Sequence, residues 1–172
     1  MIIFILLISC SSSLRFPGSL SSLGRQPVPY IPSPRSLYQI PTEGRISSPF
    51  GMRIHPVHKT KKMHKGLDIA APKGTPIYPI RPGLVTFSGT QKGYGNIVIV
   101  DHGEGMSSRY AHCHRLLVQK GERVTYEDTI ATVGKSGTAT GYHLHLEIRI
   151  HNDPIDPKPI IFDQDQRRRS SI

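Results

Sequence analysis

A chain of 172 residues provides one domain of ordinary size with extensions, because most domains contain about 100 to 150 residues. Hydrophobic residues make up 37% of the chain, and 16 Gly, 15 Pro and no Trp favour a turn-rich, β-rich fold over a helical bundle. The formal net charge of +10 favours polyanionic surroundings: nucleic acid, an anionic membrane surface or an acidic wall polymer. The sequence has no aromatic platform, nucleic-acid motif or basic helix, so we expect no nucleic-acid partner.

The first ten residues are typical of an export signal. Residues 1–8 are apolar, and Ser9 and Cys10 follow them. This run is too short for a bilayer span, which needs about 20 residues, but it fits the hydrophobic part of a signal peptide. Residues 7–10 resemble a bacterial lipoprotein signal, in which the cysteine is lipidated. No Lys or Arg precedes the run, so either the signal is atypical or the start is misassigned; the alternative is a stray apolar N-terminus on a cytosolic protein.

Export would place the protein in the bacterial cell envelope, in the periplasm or anchored to the membrane through Cys10. The chain contains only two cysteines, Cys10 and Cys113, so it has no disulfide framework. The two could pair in an oxidising compartment, but the position of Cys10 after the apolar run favours lipidation. We expect the protein to be a monomer.

Two segments flank the predicted domain. Residues 11–45 are rich in Ser, Pro and Arg and have too few apolar residues to form a core, so they are predicted to be a linker. Residues 158–172 contain the run 167–169 of three arginines and are predicted to be a polar, basic tail. The folded domain is therefore predicted over residues 46–157.

Short runs rich in Val, Ile, Thr and Tyr, separated by Gly and Pro, predict eight strands in this domain. The predicted strands are Gly66 to Ile69, Pro76 to Tyr78, Leu84 to Ser88, Asn96 to Asp101, Ser107 to His112, Arg123 to Val124, Thr129 to Val133 and His143 to Ile150. Their regular spacing predicts an all-β fold, a compact antiparallel β-barrel-like sandwich with long loops.

Three short patterns carry residues suited to metal chemistry. His64 and Asp68 have an H-x-x-x-D spacing in a predicted loop that leads into a strand. Imidazole nitrogen and carboxylate oxygen are donors that zinc accepts, and one further histidine would complete a catalytic site with an open position. His143 and His145 project from one face of the last strand, since side chains alternate along a strand. A second H-x-H spans residues 112–114, and the spacing alone does not decide which pair supplies the ligand.

Six motifs between Ser47 and Pro157 occur in the order found in one enzyme family. They are Ser48-Pro49-Phe50-Gly51-Met52-Arg53 with His55-Pro56, His64-Lys65-Gly66-Leu67-Asp68, Ala71-Pro72-Lys73-Gly74-Thr75-Pro76, Gly93-Tyr94-Gly95-Asn96, Tyr110-Ala111-His112, and Thr140-Gly141-Tyr142-His143-Leu144-His145-Leu146-Glu147. This stretch, about two-thirds of the chain, resembles the lysostaphin-type (LytM-type) zinc metallopeptidases of the duplicated hybrid motif fold. Those bacterial enzymes hydrolyse peptide bonds in peptidoglycan.

The resemblance implies a role for each of five residues. His64, Asp68 and His145 match the family's three ligands to a single Zn²⁺, and His112 and His143 match its two catalytic histidines. One catalytic histidine is expected to accept a proton from water while the other stabilises the oxyanion or returns a proton to the leaving amine. The implied function is a zinc metalloendopeptidase that acts on peptidoglycan crosslinks or bridges, with its loops around a zinc groove.

Other residues in these motifs carry weaker expectations. His114 has no counterpart in the family and is expected at the surface or behind the ligands. Cys113 is expected to be a small buried hydrophobe, because on a strand it would point away from His112. Glu147 lies on the face of His145 and could hydrogen-bond its outer nitrogen, or it could be an exposed strand carboxylate. The remaining histidines receive no chemical role: His55, His58, His102 and His151.

Two alternative functions remain open from the sequence. The first is a non-catalytic LytM-like envelope module that regulates other cell-wall hydrolases; the presence of all five expected side chains weighs against it. The second is a membrane-tethered basic adaptor for nucleic acid or anionic lipid, suggested by the net charge of +10. It would leave the His and Asp motifs unexplained.

Overall fold

The computed structural model describes residues 37–54 and 61–162, with Ile54 described by its backbone alone. Within these ranges the chain forms twelve strands and one short helix. They are β1 (Arg45–Ser48), β2 (Gly51–Ile54), β3 (Lys61–His64), β4 (Leu67–Ala70), β5 (Pro76–Ile77), β6 (Gly83–Gln91), β7 (Gly95–Gly103), β8 (Met106–Cys113), β9 (Arg123–Val124), β10 (Ala131–Thr132), β11 (His143–Ile150), β12 (Asp153–Ile155) and α1 (Pro157–Ile161). No helix within these ranges is both long enough and apolar enough to cross a membrane.

Several predictions concern residues outside the described ranges. They are the export signal over 1–10 with Cys10, most of the linker over 11–45, His55 and His58, and the arginine run at 167–169.

Eight strands form one antiparallel sheet that carries the site. Its order is β1-β4-β11-β8-β7-β6-β9, and β12 pairs with β11. Two smaller antiparallel pairs accompany it, β10 with β5 and β2 with β3. Among the described strands, β1 and β9 end the large sheet and do not pair with each other. The predicted antiparallel all-β fold is confirmed, and its large sheet is open rather than closed into a barrel.

The hydrophobic core lies on one face of the large sheet. In β11 the alternating residues Leu144, Leu146 and Ile148 are fully buried, as the period of two along a strand requires. Ile77 of β5 and Ala131 of β10 belong to the same buried cluster, so the small sheet packs against the large one. The opposite side of β11, which carries His143 and His145, is left to form the site.

Five elements are not predicted from the sequence, namely β1, β2, β3, β12 and α1. The exposed strands β1 and β3 are rich in Arg, Ser and Lys and lack the apolar alternation of a half-buried strand. β12 contains Pro154, a residue that argues against a strand. α1 is only five residues long; Asp156 caps it and Pro157 occupies its first turn. The predicted strand over 129–133 is shorter in the structure and covers Ala131–Thr132.

Residues 37–44 pack onto the domain, although they fall within the predicted linker over 11–45. The backbone N–H of Gln39 donates to the carbonyl of Ile80 at 2.9 Å. The hydroxyl of Thr42 donates to the carbonyl of Pro76 at 2.8 Å. These attachments are polar contacts with backbone carbonyls, so no apolar periodicity marks them in the sequence. The folded region therefore begins before the predicted boundary at residue 46.

We predict that Tyr110→Phe lowers the free energy of unfolding by about 1–3 kcal/mol. The buried hydroxyl of Tyr110 accepts a hydrogen bond from the backbone N–H of Ile80 and another from the hydroxyl of Ser108, each at 2.8 Å. Removing it leaves the buried Ile80 N–H without a partner. Chemical denaturation followed by circular dichroism measures the change.

Tyr78→Phe is the matched control, because the hydroxyl of Tyr78 makes no hydrogen bond to any described residue. It should leave the stability almost unchanged. A loss at Tyr110 no greater than the loss at Tyr78 would show that the buried hydrogen bonds contribute nothing.

Candidate metal centre

The centre begins with the pairing of β4 and β11. In their register Asp68 lies directly opposite His145, and directly opposed residues project from the same face of a sheet. Oδ1 of Asp68 is 2.7 Å from Nδ1 of His145. Both side chains are buried, so the register alone brings two metal-ligand side chains into contact.

His64 reaches the same point from the end of β3. The chain turns at Gly66 and enters β4, which brings His64 back beside Asp68. Nε2 of His64 lies 3.1 Å from Oδ1 of Asp68 and 3.1 Å from Nδ1 of His145. The turn requires glycine, because a Cβ on Gly66 would lie only 2.3 Å from the carbonyl oxygen of Leu146. Among the described residues, these three form a group that could hold a metal ion.

The hydrogen bonds behind the two imidazoles fit such an ion. Nδ1 of His64 is 2.6 Å from the carbonyl oxygen of Pro49, and Nε2 of His145 is 3.3 Å from Oε1 of Glu147. Both contacts hold a hydrogen on the outer nitrogen, so the inner nitrogen can bind an ion with its lone pair once its own proton is released. The three inner donor atoms are 2.7–3.1 Å apart, whereas tetrahedral zinc with bonds of about 2.1 Å would space its ligands by about 3.4 Å. A small adjustment therefore accommodates the ion.

Asp68 offers one of its oxygens to the centre and the other to the pocket wall. Oδ1 faces the two imidazoles, while Oδ2 accepts a hydrogen bond from Nη2 of Arg53 in β2 at 3.3 Å. Burial alone would raise the pKa of Asp68, but hydrogen bonds from His145 and His64 hold that pKa well below its usual range. Asp68 is thus ionised and ready to bind a cation.

Protons compete with a metal ion for this centre. Burial alone would lower the pKa of His145, but its hydrogen bonds to Asp68 and Glu147 raise it to about 9. Metal ligands bind in their deprotonated forms, so a bound ion replaces the proton on Nδ1 of His145. The affinity for metal therefore increases with pH in this range.

Glu147 supports His145 from the side away from Asp68. Its side chain is only 1% exposed and accepts hydrogen bonds from the Tyr94 hydroxyl at 2.7 Å and from Nε of Arg149 at 2.8 Å. Burial alone would raise the pKa of Glu147, but hydrogen bonds from His145 and Tyr94 lower it to about 2. Of the two alternatives for Glu147, an exposed strand carboxylate is wrong, and contact with the outer nitrogen of His145 is what the structure contains.

A β-bulge in β8 carries His112. Asn96 of β7 pairs with Cys113, and Val98 pairs with Tyr110. One residue of β7 therefore opposes two residues of β8, which is the defining feature of a bulge. The backbone of His112 has φ of 62°, in the left-handed region that few non-glycine residues adopt. The strain lies at a residue selected from the sequence as catalytic.

The bulge decides which side chain faces the centre. Ala111 pairs with His145, so regular alternation would place Ala111 on the face of the site and turn His112 towards the core. The extra residue reverses the alternation beyond Ala111. His112 then faces the site, with its ring centroid 5.7 Å from that of His145. Cys113 joins the core.

The loop around Ser136 holds the bulge in place. The Ser136 carbonyl lies 2.8 Å from Nδ1 of His112 and accepts its hydrogen, which leaves Nε2 with a lone pair. The Ser136 hydroxyl donates to the carbonyl of Cys113 and accepts from the N–H of Asn96, each at 2.9 Å. The N–H of His112 donates to the carbonyl of Tyr94 at 2.9 Å. Hydrogen bonds from the Ser136 loop and from Tyr94 thus fix the strained segment.

His143 completes the group on the face of β11 that carries His145. Its ring centroid lies 4.9 Å from that of His112, and its Nε2 is 3.8 Å from Oδ1 of Asp68. The three residues of the metal group and both remaining histidines line one cavity of about 600 Å³, together with Arg53, Tyr94 and Glu147. Its open side could admit an extended peptide.

Comparison with known proteins identifies the family. The sequence pattern of Peptidase family M23 matches residues 62–157, more than half of the chain. The chain belongs to peptidase family M23. The predicted resemblance to LytM-type peptidases is confirmed.

Two curated proteins and one solved structure illustrate the similarity. The DD-carboxypeptidase/endopeptidase Mpg of Neisseria meningitidis serogroup B is 44% identical over 113 residues, which are 66% of this chain and 26% of that protein. The peptidoglycan DD-endopeptidase ShyA of Vibrio cholerae is 38% identical over 120 residues, 69% of this chain and 28% of that protein. A zinc-containing peptidase from Vibrio cholerae has a TM-score of 0.66 and 34% identity, covering 71% of this chain and 39% of that chain. The M23 chain spans about a quarter of the length of these curated relatives.

In this M23 chain the five residues predicted from the motifs meet at one centre. His64, Asp68 and His145 are within hydrogen-bonding distance of one another, and His112 and His143 lie beside them. The competition between the two H-x-H pairs is resolved in space, because only the pair at 143 and 145 contributes a nitrogen within hydrogen-bonding distance of Asp68 and His64, that of His145. The chemical role of each residue stays a prediction.

Two residues that follow the motif at 110–112 lie where the sequence predicts. His114 is exposed. Cys113 is fully buried, and burial raises the pKa of its thiol to about 12, so it is an inert part of the core. Arg53, Tyr94 and Ser136 were not singled out from the sequence. Arg53 and Tyr94 belong to the quoted motifs, whereas Ser136 lies outside them.

We predict that Glu147→Gln lowers the affinity of the domain for Zn²⁺ by about 10- to 100-fold. The amide keeps the size of the side chain but removes the charge that stabilises the outer N–H of His145. Competition with a chromophoric chelator measures the affinity.

Glu122→Gln removes an exposed carboxylate elsewhere in the domain and serves as the control for net charge. It should leave the affinity unchanged. Equal affinities of the two variants would mean that Glu147 does not support the metal ligand.

Proposed function

We propose that this M23 domain is a zinc metalloendopeptidase that hydrolyses peptide bonds in bacterial peptidoglycan. One observation carries the proposal: His64, Asp68 and His145 converge at a single point, and His112 and His143 face the same cavity. A non-catalytic module of this family would lack some of these groups. Their joint presence supports hydrolysis.

The donor set supports zinc as the metal. Two imidazole nitrogens and one carboxylate oxygen, with an open side towards the cavity, suit a catalytic zinc site. When bound, zinc would supply Lewis acidity and lower the pKa of a coordinated water towards about 7. His64, Asp68 and His145 would hold the ion, and Glu147 would orient His145.

The two remaining histidines suit acid–base work on the attacking water and the leaving amine. Burial, together with the neighbouring His145 and His143, lowers the pKa of His112 to about 4. His112 is therefore neutral near pH 7, and its free Nε2 can accept a proton. His143 is less buried, with 15% of its side chain exposed. Its Nδ1 lies 3.0 Å from the carbonyl oxygen of Gly141, so its Nε2 donates to the oxyanion or to the leaving amine when the ring has taken up a proton. We assign His112 as the general base on this difference.

Two observations support peptidoglycan as the substrate. ShyA is named a peptidoglycan DD-endopeptidase, and Mpg a DD-carboxypeptidase/endopeptidase. The net charge of +10 suits an acidic wall polymer.

Incubation with purified peptidoglycan, followed by mass spectrometry of the released fragments, tests the assignment. New peptide termini are expected, and their absence with zinc-loaded protein would contradict it.

The site of action is part of the same proposal. The apolar run at residues 1–8 and the following Cys10 support export to the cell envelope and a lipid anchor. The domain would act as a monomer at the end of its Ser- and Pro-rich linker.

The proposal predicts two classes of histidine variant. His64→Ala and His145→Ala, like Asp68→Ala, should lose both bound zinc and activity. His112→Ala and His143→Ala should keep stoichiometric zinc but lose about 100- to 10,000-fold in kcat. Zinc content by mass spectrometry and hydrolysis of a crosslinked peptide measure the two properties.

His114→Ala is the control, because it removes an exposed imidazole from the strand region that carries His112. It should retain zinc and full activity. Full activity of His143→Ala, or loss of its zinc to the extent seen in His145→Ala, would overturn the division between ligands and catalytic groups.

The bulge predicts a separate effect for Ser136→Ala. Loss of its hydroxyl removes the hydrogen bonds to Cys113 and Asn96 that hold the bulge, so the imidazole of His112 is less well placed and kcat should fall by about tenfold or more. KM and the affinity for zinc should not change. Ser136→Thr, which keeps the hydroxyl, should restore most of the rate.

Ser88→Ala is the matched control, because the Ser88 hydroxyl donates to the carbonyl of Val118 at 2.6 Å outside the cavity. If Ser136→Ala lowered kcat no more than Ser88→Ala does, the loop would not position His112.

A further inference from the structure

Cations dominate the wall of the cavity that contains the metal centre. The four that line it are Arg53, Lys62, Lys65 and Lys92. The acids in the same wall are Asp68 and Glu147, and both are already engaged: Asp68 contacts Arg53, His64 and His145, and Glu147 contacts Arg149, Tyr94 and His145. The field in the cavity is therefore positive.

The three lysines have no anionic partner in the part of the chain that the structure describes. Each side chain is exposed at the mouth of the cavity, and none forms an ion pair with a described residue. Lys62 and Lys65 lie on either side of His64 in the chain, whereas Lys92 lies in the turn between β6 and β7. Separate elements of the fold thus bring positive charge to one opening.

The hairpin of β2 and β3 adds an independent observation. Arg53 and Lys62 are direct cross-strand partners, and like charges directly opposite each other destabilise a sheet. Arg53 is compensated by Asp68 at 3.3 Å, but Lys62 is not compensated by any described residue. An anionic group bound at this wall would relieve the repulsion.

We propose that Lys62, Lys65 and Lys92 make this site select a peptide with a free carboxylate next to the scissile bond. This proposal rests on the proposed function and deepens it. Stem-peptide crosslinks that contain acidic residues meet the requirement, whereas a bridge made only of glycine has no side-chain charge. The lysines would hold the carboxylate as point charges while the peptide bond lies over the metal centre.

Two synthetic crosslinked peptides test the proposal. They differ only in one group next to the scissile bond, a free carboxylate in one and its amide in the other. The zinc-loaded protein should cleave the acid with a kcat/KM about tenfold higher than that for the amide, the sum of three modest charge interactions. The difference should lie mainly in KM and should decrease at high salt.

The variant Lys62→Gln/Lys65→Gln/Lys92→Gln should lose this preference while keeping its zinc and its activity on the amide. A control with the same change in net charge is Lys73→Gln/Lys120→Gln/Lys158→Gln, whose side chains are exposed and lie outside the cavity. It should keep the preference for the acid. Equal rates of the wild-type protein on both peptides, or an unchanged preference in the first variant, would overturn the proposal.

These outcomes differ from a failure of the proposed function. Cleavage of both peptides at equal rates would leave a zinc endopeptidase without this specificity. If the zinc-loaded protein cleaved neither peptide nor purified peptidoglycan, hydrolysis itself would be refuted. In that case fluorescence titration with the same two peptides still decides the matter: about tenfold tighter binding of the acid supports the carboxylate site, and equal binding refutes it.

Discussion

The pairing of Asp68 with His145 across β4 and β11 is the constraint on which the site depends. Because the side-chain period of a strand is two residues, a slip of one residue in that register would turn one partner towards the core and destroy the contact. The apolar residues on either side of His145 prevent such a slip, because Leu144 and Leu146 are fully buried on the other face. The hydrophobic core and the metal centre are therefore specified by the same register.

Beside this pair, two energetically unfavourable features are held in place by hydrogen bonds. The left-handed backbone of His112 is unfavourable for a residue with a side chain, and it persists because the Ser136 loop and Tyr94 supply hydrogen bonds to it. The second feature is the buried charge of Glu147. Glu147 is held by Arg149 and Tyr94 while it contacts His145, so its charge is compensated and its position is fixed. Rigid support of this kind is what a centre that accepts an ion and a peptide requires.

Strands with a clear alternating pattern are predictable from the sequence, and β4, β7, β8 and β11 all match predicted strands. Exposed strands are not predictable in this way, because β1 and β3 have charged residues at positions where a half-buried strand would have apolar ones. The identity of the site residues came from the family motifs rather than from spacing, which left two H-x-H pairs in competition. The structural reason for the choice is the bulge at His112, and no local sequence pattern marks it. Nor does the sequence reveal that Glu147 is buried, because that depends on both β4 and β8 flanking β11.

Crystals grown with zinc, with anomalous diffraction collected at the zinc absorption edge, test the central claim most directly. A single anomalous peak is predicted at bonding distance, about 2.0–2.2 Å, from Nε2 of His64, Oδ1 of Asp68 and Nδ1 of His145. A peak bound instead by His112 or His114, or no peak in this cavity from protein with full zinc occupancy, would contradict the assignment of the centre.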